Sequence, residues 1–344
     1  MIKTLSTYKL TVPFTNPTTS VVASSYTVKL FVWNGSKLAV PTLPIYSITK
    51  PNPTLSNGQD VIDISRLIND FIDWNFEYPI ISNGIENANV AVWTKWEISY
   101  SDTPTIASIN ETNLCLKGYG FTTEGVNPQL SSNTLLVDND EHKISYNGIY
   151  VFPILLSETI FFAYLVRSFP SNTVLSNVNL PATNNSNELV KNIVITPTIA
   201  TSQDKYITIF LSTGAEVTLL YETECKYKPL QIVFQNRNGV AETMTFFKSK
   251  KDSISVTKEN YENDIFYQYN VNSKGKFEIN TGFVTEDKNE NIKQLLLSEK
   301  TYALINAKAV PILVDTKSLE LKTRVNDKLI NYKIDFSYAF NDIS

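Results

Sequence analysis

Apolar and polar residues alternate with a period of two over several long segments, and this pattern limits the fold more than any other feature. Residues 26–33 and 90–100 are the clearest examples, and both are rich in β-branched and aromatic residues. Successive side chains of a strand point to opposite faces of a sheet, so such alternation is typical of strands with one buried face. The sequence therefore predicts an all-β protein.

Two segments depart from this alternation and predict helices. Residues 65–74 and 286–300 each repeat apolar residues at intervals of three or four, as an amphipathic helix does. We expect Ser65 to cap the first helix and Thr285 to cap the second. Each helix stands alone among strands, so we expect each to flank one β-sandwich.

Two Asn-Gly dipeptides predict tight turns. Asn34-Gly35 follows the strand pattern of residues 26–33, and Asn238-Gly239 lies between two apolar runs. Both central residues of a type I′ turn need positive φ, which Asn and Gly tolerate best. We therefore expect a hairpin turn at each dipeptide, of type I′ at Asn238-Gly239.

The length and the distribution of charge predict a multi-domain chain. A chain of 344 residues is too long for one ordinary sandwich, and charged residues become denser after residue 222. Residues 168–191 are rich in Asn, Ser and Pro, which predicts a long polar loop. We expect an N-terminal β-sandwich at 1–167, the long polar loop with connecting strands at 168–225, and a C-terminal β-sandwich at 226–344.

Composition argues against several kinds of partner. The formal charge is −4 and no basic stripe is visible, so we expect no specific binding to nucleic acid. The sequence has no apolar run of the length that spans a membrane and no visible signal peptide, so we expect no membrane insertion and synthesis in the cytoplasm. Two cysteines, Cys115 and Cys225, make no disulfide framework.

The sequence contains no recognisable catalytic motif. His142 is the only histidine, and it follows Asp138, Asp140 and Glu141 in a polar segment that is either a solvated turn or a weak site for a divalent cation. Carboxylates in or near expected strands could cleave a glycan, but nothing singles out a pair among Glu97, Glu124, Glu158 and Glu278. We therefore expect no enzyme activity and no cofactor, and we assign no catalytic, cofactor-binding or metal-binding residue.

The four tryptophans allow two interpretations. Together with the many Tyr and Phe residues they could form a platform on which sugar rings stack. The spacing of Trp33 and Trp74 among apolar neighbours favours a core position instead. Trp93 and Trp96 are three positions apart, so we expect them to point to opposite faces of one strand.

Several segments resemble virion proteins of tailed bacteriophages, particularly those that infect Bacteroides- and Flavobacterium-like hosts. The likeness is carried by Tyr46-Ser-Ile-Thr-Lys-Pro51, Asp63-Ile-Ser-Arg-Leu-Ile-Asn-Asp-Phe-Ile72, Val233-Phe-Gln-Asn-Arg-Asn-Gly239 with Thr245-Phe-Phe247, Asn280-Thr-Gly-Phe283, Leu295-Leu-Leu-Ser-Glu299, Pro311-Ile-Leu-Val-Asp315 and Lys328-Leu-Ile-Asn-Tyr332. The resemblance implies a tail, neck or baseplate component, with a C-terminal part similar to the tail-tube and baseplate-hub fold. It carries over no functional residue.

These observations predict a protein that acts through subunit interfaces. We expect a ring-forming structural component of a virion, whose partners are further copies of itself and other virion proteins. A ring that joins sheets edge to edge also covers strand edges that would otherwise aggregate. The alternative is a receptor- or glycan-binding module of the virion.

Overall fold

The computed structural model describes most of the chain. The described residues are 2–4, 7–52, 58–79, 84–88, 90–109, 112–120, 130, 134–138, 140–145, 148–156, 161–168, 171–181, 190–196, 205–211, 214–222, 226–263, 265–322 and 330–341.

Strands dominate this part of the chain. They are β1 Ile2–Thr4, β2 Lys9–Pro13, β3 Ser25–Trp33, β4 Tyr46–Pro51, β5 Gln59–Asp63, β6 Gly84–Asn87, β7 Ala91–Tyr100, β8 Thr103–Ile109, β9 Asn113–Leu116, β10 Thr134–Leu135, β11 Glu141–Ile144, β12 Tyr150–Leu155, β13 Phe161–Ser168, β14 Val174–Pro181, β15 Val190–Ile195, β16 Lys205–Leu211, β17 Glu216–Tyr221, β18 Leu230–Gln235, β19 Ala241–Phe246, β20 Lys250–Asn263, β21 Ile265–Asn280, β22 Thr301–Ile305, β23 Lys308–Val314 and β24 Lys333–Tyr338. The helices are α1 Ser65–Phe71 and α2 Asn289–Leu297, and α2 follows a 3-10 turn at Glu286–Lys288.

The described strands form several sheets. The first has the order β1-β9-β7-β3-β4, with β8 also paired to β7, and a separate pair joins β2 and β5. The middle of the chain forms a four-stranded sheet, β10-β12-β15-β6, and a five-stranded sheet, β11-β17-β16-β13-β14. The C-terminal part forms a seven-stranded sheet, β19-β18-β22-β23-β24-β21-β20. The prediction of an all-β, multi-domain protein built of β-sandwiches is confirmed.

Three hydrophobic cores lie between these layers. The first joins the six-stranded sheet to the β2–β5 pair and to α1, where Ile68 is fully buried. The second lies between the four- and five-stranded sheets around Phe152 and Ile207. The third lies between the seven-stranded sheet and α2, with Phe234 and Leu295 at its centre. Each core buries the alternate apolar positions of its strands, as the period of two predicts.

A fourth cluster, which we call the central core, unites residues from all parts of the chain. It contains Trp33 and Trp93 from the first sheet, Val151 from the four-stranded sheet, and Val233 from the seven-stranded sheet. Trp96 packs against the first core instead, so Trp93 and Trp96 do lie on opposite faces of β7. The domain boundaries after residues 167 and 225 stay predictions, but apolar residues from both sides of each boundary meet in the central core.

The helices are shorter than the sequence predicts, and their caps differ. α1 ends at Phe71. At its N-terminus the Ser65 side chain makes no capping hydrogen bond. Instead, the Asp63 carboxylate accepts a hydrogen bond from the Ser65 backbone N–H at 2.9 Å. Thr285 makes no capping hydrogen bond either. Lys300 lies beyond α2, and its ammonium group pairs with Asp73 at 2.9 Å. Lys300, the last residue of the predicted helix, thus forms a tertiary ion pair instead.

The predictions of a tight hairpin turn at Asn34-Gly35 and of a type I′ turn at Asn238-Gly239 are wrong. The chain runs from Trp33 to Tyr46 before β4 pairs with β3, because residues 34–45 contain two prolines and cannot continue a ladder. In the second hairpin Gly239 has a φ of +80°, but Asn238 is not left-handed. The Gly239 N–H binds the Asn236 carbonyl at 2.9 Å, so this hairpin has a three-residue loop with a left-handed glycine at its end.

The prediction of a long polar loop over residues 168–191 is also wrong for its described part. Residues 174–181 form β14, which pairs with β13 in antiparallel register. The Ser and Asn residues that suggested a loop occupy an edge strand, where hydrogen bonds to β13 fix the backbone and little burial is needed. Residues 182–189 lie outside the described residues.

Candidate functional site

A long β-ribbon formed by β20 and β21 extends beyond the seven-stranded sheet. β24 pairs only with Lys276–Asn280 of β21, so the ladder of β20 and β21 continues past the last strand that supports it. The ten residues of β20 from 254 to 263 overhang, which corresponds to about 30 Å of strand. This overhang is held by no other strand of the described chain.

The base of the ribbon is anchored firmly. Phe277 of β21 stacks on Phe336 of β24 with ring centroids 5.3 Å apart. The Lys250 ammonium group lies 4.7 Å from the centroid of the Phe277 ring, a cation–π contact. The overhang therefore projects from a base that is packed against the neighbouring strand of the sheet.

The two faces of the overhang differ in chemistry. Ile254 and Val256 lie on one face, with 62% and 45% of their surface exposed. The opposite face carries Ser255 and Thr257, which lie opposite Lys274 and Asn272. Over residues 254–257 one face of β20 thus carries exposed apolar side chains, and the other face carries polar ones.

β14 is a second uncovered edge. It lies at the end of the five-stranded sheet, and residues 174–177 are all exposed, so neither face is buried there. Val174 and Leu175 are adjacent and both exposed, and the strand contains no charged residue. Natural edge strands usually carry charges that block pairing with other chains, and this one does not.

An apolar loop at residues 36–45 is a third exposed surface. Leu38 is 82% exposed and Leu43 is 77% exposed. The base of the loop is fixed by two buried indoles: the Trp33 N–H donates to the Ser36 carbonyl at 2.8 Å, and the Trp93 N–H donates to the Gly35 carbonyl at 2.9 Å. The tryptophans thus hold a loop in place, and three of the four, Trp33, Trp74 and Trp93, are buried rather than displayed as a platform.

His142 lies on β11 rather than in a free turn. Its ring meets the Phe152 ring edge-on at 5.3 Å, and it lines a cleft of about 250 Å³ between β11, β19 and the start of α2. Of the neighbouring acids, Asp138 accepts a hydrogen bond from Gln294 with its carboxylate, and the backbone carbonyl of Asp140 accepts one from the Thr218 N–H. Among the described residues, no three His, Cys, Asp or Glu side chains are arranged to hold a metal ion.

The carboxylates considered for glycan cleavage do not come together. Glu97 forms an ion pair with Lys95 at 2.7 Å within β7. Glu278 lies on β21 between Lys251 and Lys333 at 3.5 Å and 3.7 Å. Glu124 and Glu158 lie outside the described residues, as does Cys225.

The turn of the β18–β19 hairpin is hydrogen-bonded to earlier segments of the chain. The Asn236 and Asn238 side-chain amides both donate to the Leu136 carbonyl, at 2.8 Å and 3.0 Å. The Gln235 amide donates to the Lys117 carbonyl at 2.8 Å. Because these acceptors are backbone atoms of segments that precede β11, the turn connects the C-terminal sheet to the rest of the molecule.

A buried carboxyl group, missed at the level of sequence, lies beneath this turn. Glu242 is 1% exposed, and its two oxygens accept hydrogen bonds from the amides of Asn236, at 3.0 Å, and Asn291. Burial raises the pKa of Glu242 to about 7, and the negative charge of Asp138 adds to the effect. A Glu at an inward position of a strand was the available signal, but the strand pattern alone places Glu outward as readily.

No helix in the described part of the chain is long and apolar enough to span a membrane. No family model and no curated protein matches the sequence. A solved structure, the calcium-binding domain CBD12 of CALX1.1, is similar over 62% of this chain and 75% of that chain, with 10% identity and a TM-score of 0.16. A TM-score this low supports no inference about function.

Proposed function

We propose that this chain is a structural component of a bacteriophage virion, a ring-forming tail, neck or baseplate protein that acts through its subunit interfaces. The overhanging ribbon is the observation that carries the proposal. The phage assignment itself rests on the resemblance of the segments given above, and the ribbon supports the mode of action.

An isolated two-stranded ribbon gains little stability in water, because it has no third layer on which to bury its side chains. Ile254 and Val256 nevertheless occupy successive positions on one face and remain exposed in the single chain. Apolar residues grouped in this way on a projecting element are typical of surfaces that another protein covers. The ribbon is therefore the part of the molecule best suited to reach a neighbouring subunit.

The second uncovered edge favours a ring over a simple two-fold dimer. β14 and the ribbon belong to different sheets and have different sequences. A contact between two unlike surfaces leaves one of each free on every pair, so further copies add until the assembly closes. Closure into a ring would also cover the uncharged edge of β14.

Substitutions on the two faces of the ribbon test the proposal. Ile254→Lys with Val256→Lys places two charges on the apolar face, and Ser255→Lys with Thr257→Lys places the same charges on the polar face of the same strand. All four positions are exposed, so neither pair should disturb folding. We expect the apolar-face variant to sediment as a monomer and to be excluded from virions, while the polar-face variant and the natural chain sediment as closed oligomers.

Two outcomes would contradict the proposal. If both variants assemble equally well, the ribbon is not part of the interface. If the natural chain is monomeric at all concentrations and absent from purified virions, the protein has no structural role in the virion. Binding of the monomer to host-surface glycans would instead favour the receptor- or glycan-binding module.

A further inference from the structure

We propose that a single proton on Glu242 holds the hairpin turn, residues 136–138 and α2 together, so that this junction weakens as the pH rises from 5 to 7. The inference is independent of the proposed function, because it concerns a buried site that the exposed surfaces do not touch.

Burial of Glu242 favours the neutral acid over the carboxylate. The hydrogen bonds from the amides of Asn236 and Asn291 favour the carboxylate, but they do not offset the effect of burial on the pKa. Asp138 adds a second negative charge from the neighbouring segment, and Lys288 is the cation that acts on the site from the 3-10 turn. Lys288 is itself engaged, since its ammonium group donates to the Glu141 carbonyl at 2.6 Å. Other titratable or charged groups near the site are Tyr119, Arg237, Asp140, Glu141, His142, Asp287 and Glu290.

Asn291 supplies a second argument that does not depend on charge. Its N–H group donates to Glu242, and its carbonyl oxygen is buried without a hydrogen-bond partner among the described residues. A buried acceptor without a donor is costly. A rotation of this amide by 180° would place the oxygen against Glu242, where only a protonated carboxyl group can donate to it.

Loss of the proton would act on the junction through Asp138 and the hairpin turn. An ionised Glu242 would then be a buried charge, and it would repel the carboxylate of Asp138, a residue that is itself exposed to solvent. Asp138 is held by Gln294 of α2, and Asn236 joins Glu242 to the Leu136 carbonyl. The same groups that bind the carboxyl group also connect three segments of the chain, so repulsion there weakens all three contacts at once.

The direction of the pH dependence follows from the two states of the group. In the closed junction the pKa of Glu242 is about 7, and in an open, solvated junction it returns to about 4.5. The closed form therefore holds more protons between these values, and closing weakens as the pH rises. The opening equilibrium should increase by about tenfold per pH unit between pH 5 and pH 7 and level off above that.

Amide hydrogen exchange of the full chain between pH 5 and pH 8.5 tests this inference. After correction for the intrinsic exchange rate, we expect residues 136–138 and α2 to follow the tenfold dependence, while β3 and β7 do not. Glu242→Gln, which keeps the shape and cannot ionise, should abolish the dependence. Glu290→Gln and His142→Asn, which alter other titratable groups near the same site, should retain it.

Hydrogen exchange of the natural chain tests the proposal even if Glu242→Gln does not fold. A protection profile of residues 136–138 and α2 that is independent of pH in the natural chain would overturn the proposal. A dependence that survives Glu242→Gln, or that disappears in His142→Asn, would also overturn it by assigning the proton to another group.

Discussion

Gly239 packs against the backbone of Lys117 so closely that a Cβ atom at position 239 would lie 2.6 Å from the Lys117 carbonyl carbon. The hairpin turn thus needs a glycine for two reasons: the positive φ of +80° and the absence of space. Gly35 offers a natural comparison, since its φ is +82° and nothing lies within 4 Å of its missing Cβ atom.

Substitution of these two glycines should separate backbone strain from packing. Gly35→Val should cost about 1–2 kcal/mol of unfolding free energy, the usual penalty for a left-handed L-residue. Gly239→Val should cost at least about 1–3 kcal/mol more, because the side chain must also displace the Lys117 backbone. Chemical denaturation of both variants measures the difference. Equal losses would show that the turn is not pressed against Lys117.

We expect Asp60 to make the free energy of unfolding depend on pH in the acid range. Its carboxylate accepts hydrogen bonds from the buried Tyr26 hydroxyl at 2.6 Å and from the Lys50 ammonium group at 2.9 Å. The Tyr26 hydrogen bond, followed by that from Lys50, lowers the pKa of Asp60. The stability that this carboxylate contributes is present above the unfolded pKa of about 4 and is lost as the pH falls through the lower folded value.

Asp60→Asn should therefore lower the unfolding free energy by about 1–2 kcal/mol at pH 7 and flatten the decline between pH 5 and pH 2. Asp252→Asn, which changes an exposed acid on the ribbon, serves as the control and should leave the acid decline unchanged. An unaltered decline in Asp60→Asn would show that Asp60 is not the group responsible.

The turn between β22 and β23 should be open to stabilisation. Asn306 and Ala307 form a two-residue loop, with φ values of +51° and +57°. Asn tolerates this conformation but Ala does not, so Ala307→Gly should raise the unfolding free energy by about 0.5–1 kcal/mol after the entropy of the added glycine is counted. Ala309→Gly, in the following strand, should lower it by about the same amount. A loss of stability in Ala307→Gly would contradict the assignment of the turn.

His142 provides a test of the non-catalytic interpretation. The ring packs on Phe152, so His142→Ala should lower the melting temperature modestly by removing this contact. We expect assembly and virion incorporation to be unchanged, because the sequence has no second histidine and no nucleophile motif. Loss of either property in a variant that remains folded would contradict the interpretation.

Local pattern predicted β17 well, where burial alternates, and it also predicted β3 and β7, although both faces of these two strands are partly buried. It failed where a tertiary partner decides the outcome. At the start of α1 the acceptor is Asp63 rather than Ser65, and the same Asp63 oxygen accepts a hydrogen bond from the backbone N–H of Tyr8, 55 positions away. β14 looked like a loop, since its Ser and Asn residues give no sign that β13 lies alongside.

The site was harder to predict than the fold for a related reason. The overhang of the ribbon depends on how far β24 extends along β21, and no local feature of either strand fixes that register. The role of Glu242 depends on Asn291, which is 49 positions away in the chain. Long-range pairings of this kind are determined by packing, to which a single sequence gives no direct access.

The central core has a consequence for dividing the chain. Val233, Val240 and Ala241 of the C-terminal part pack there against Trp33 and other residues of the first sheet. A fragment that begins at residue 226 would expose this apolar face. The remaining fragment would lose the apolar residues that pack against its tryptophans. Grafting the C-terminal sheet onto an unrelated protein would fail for the same reason, unless the recipient supplied a matching face.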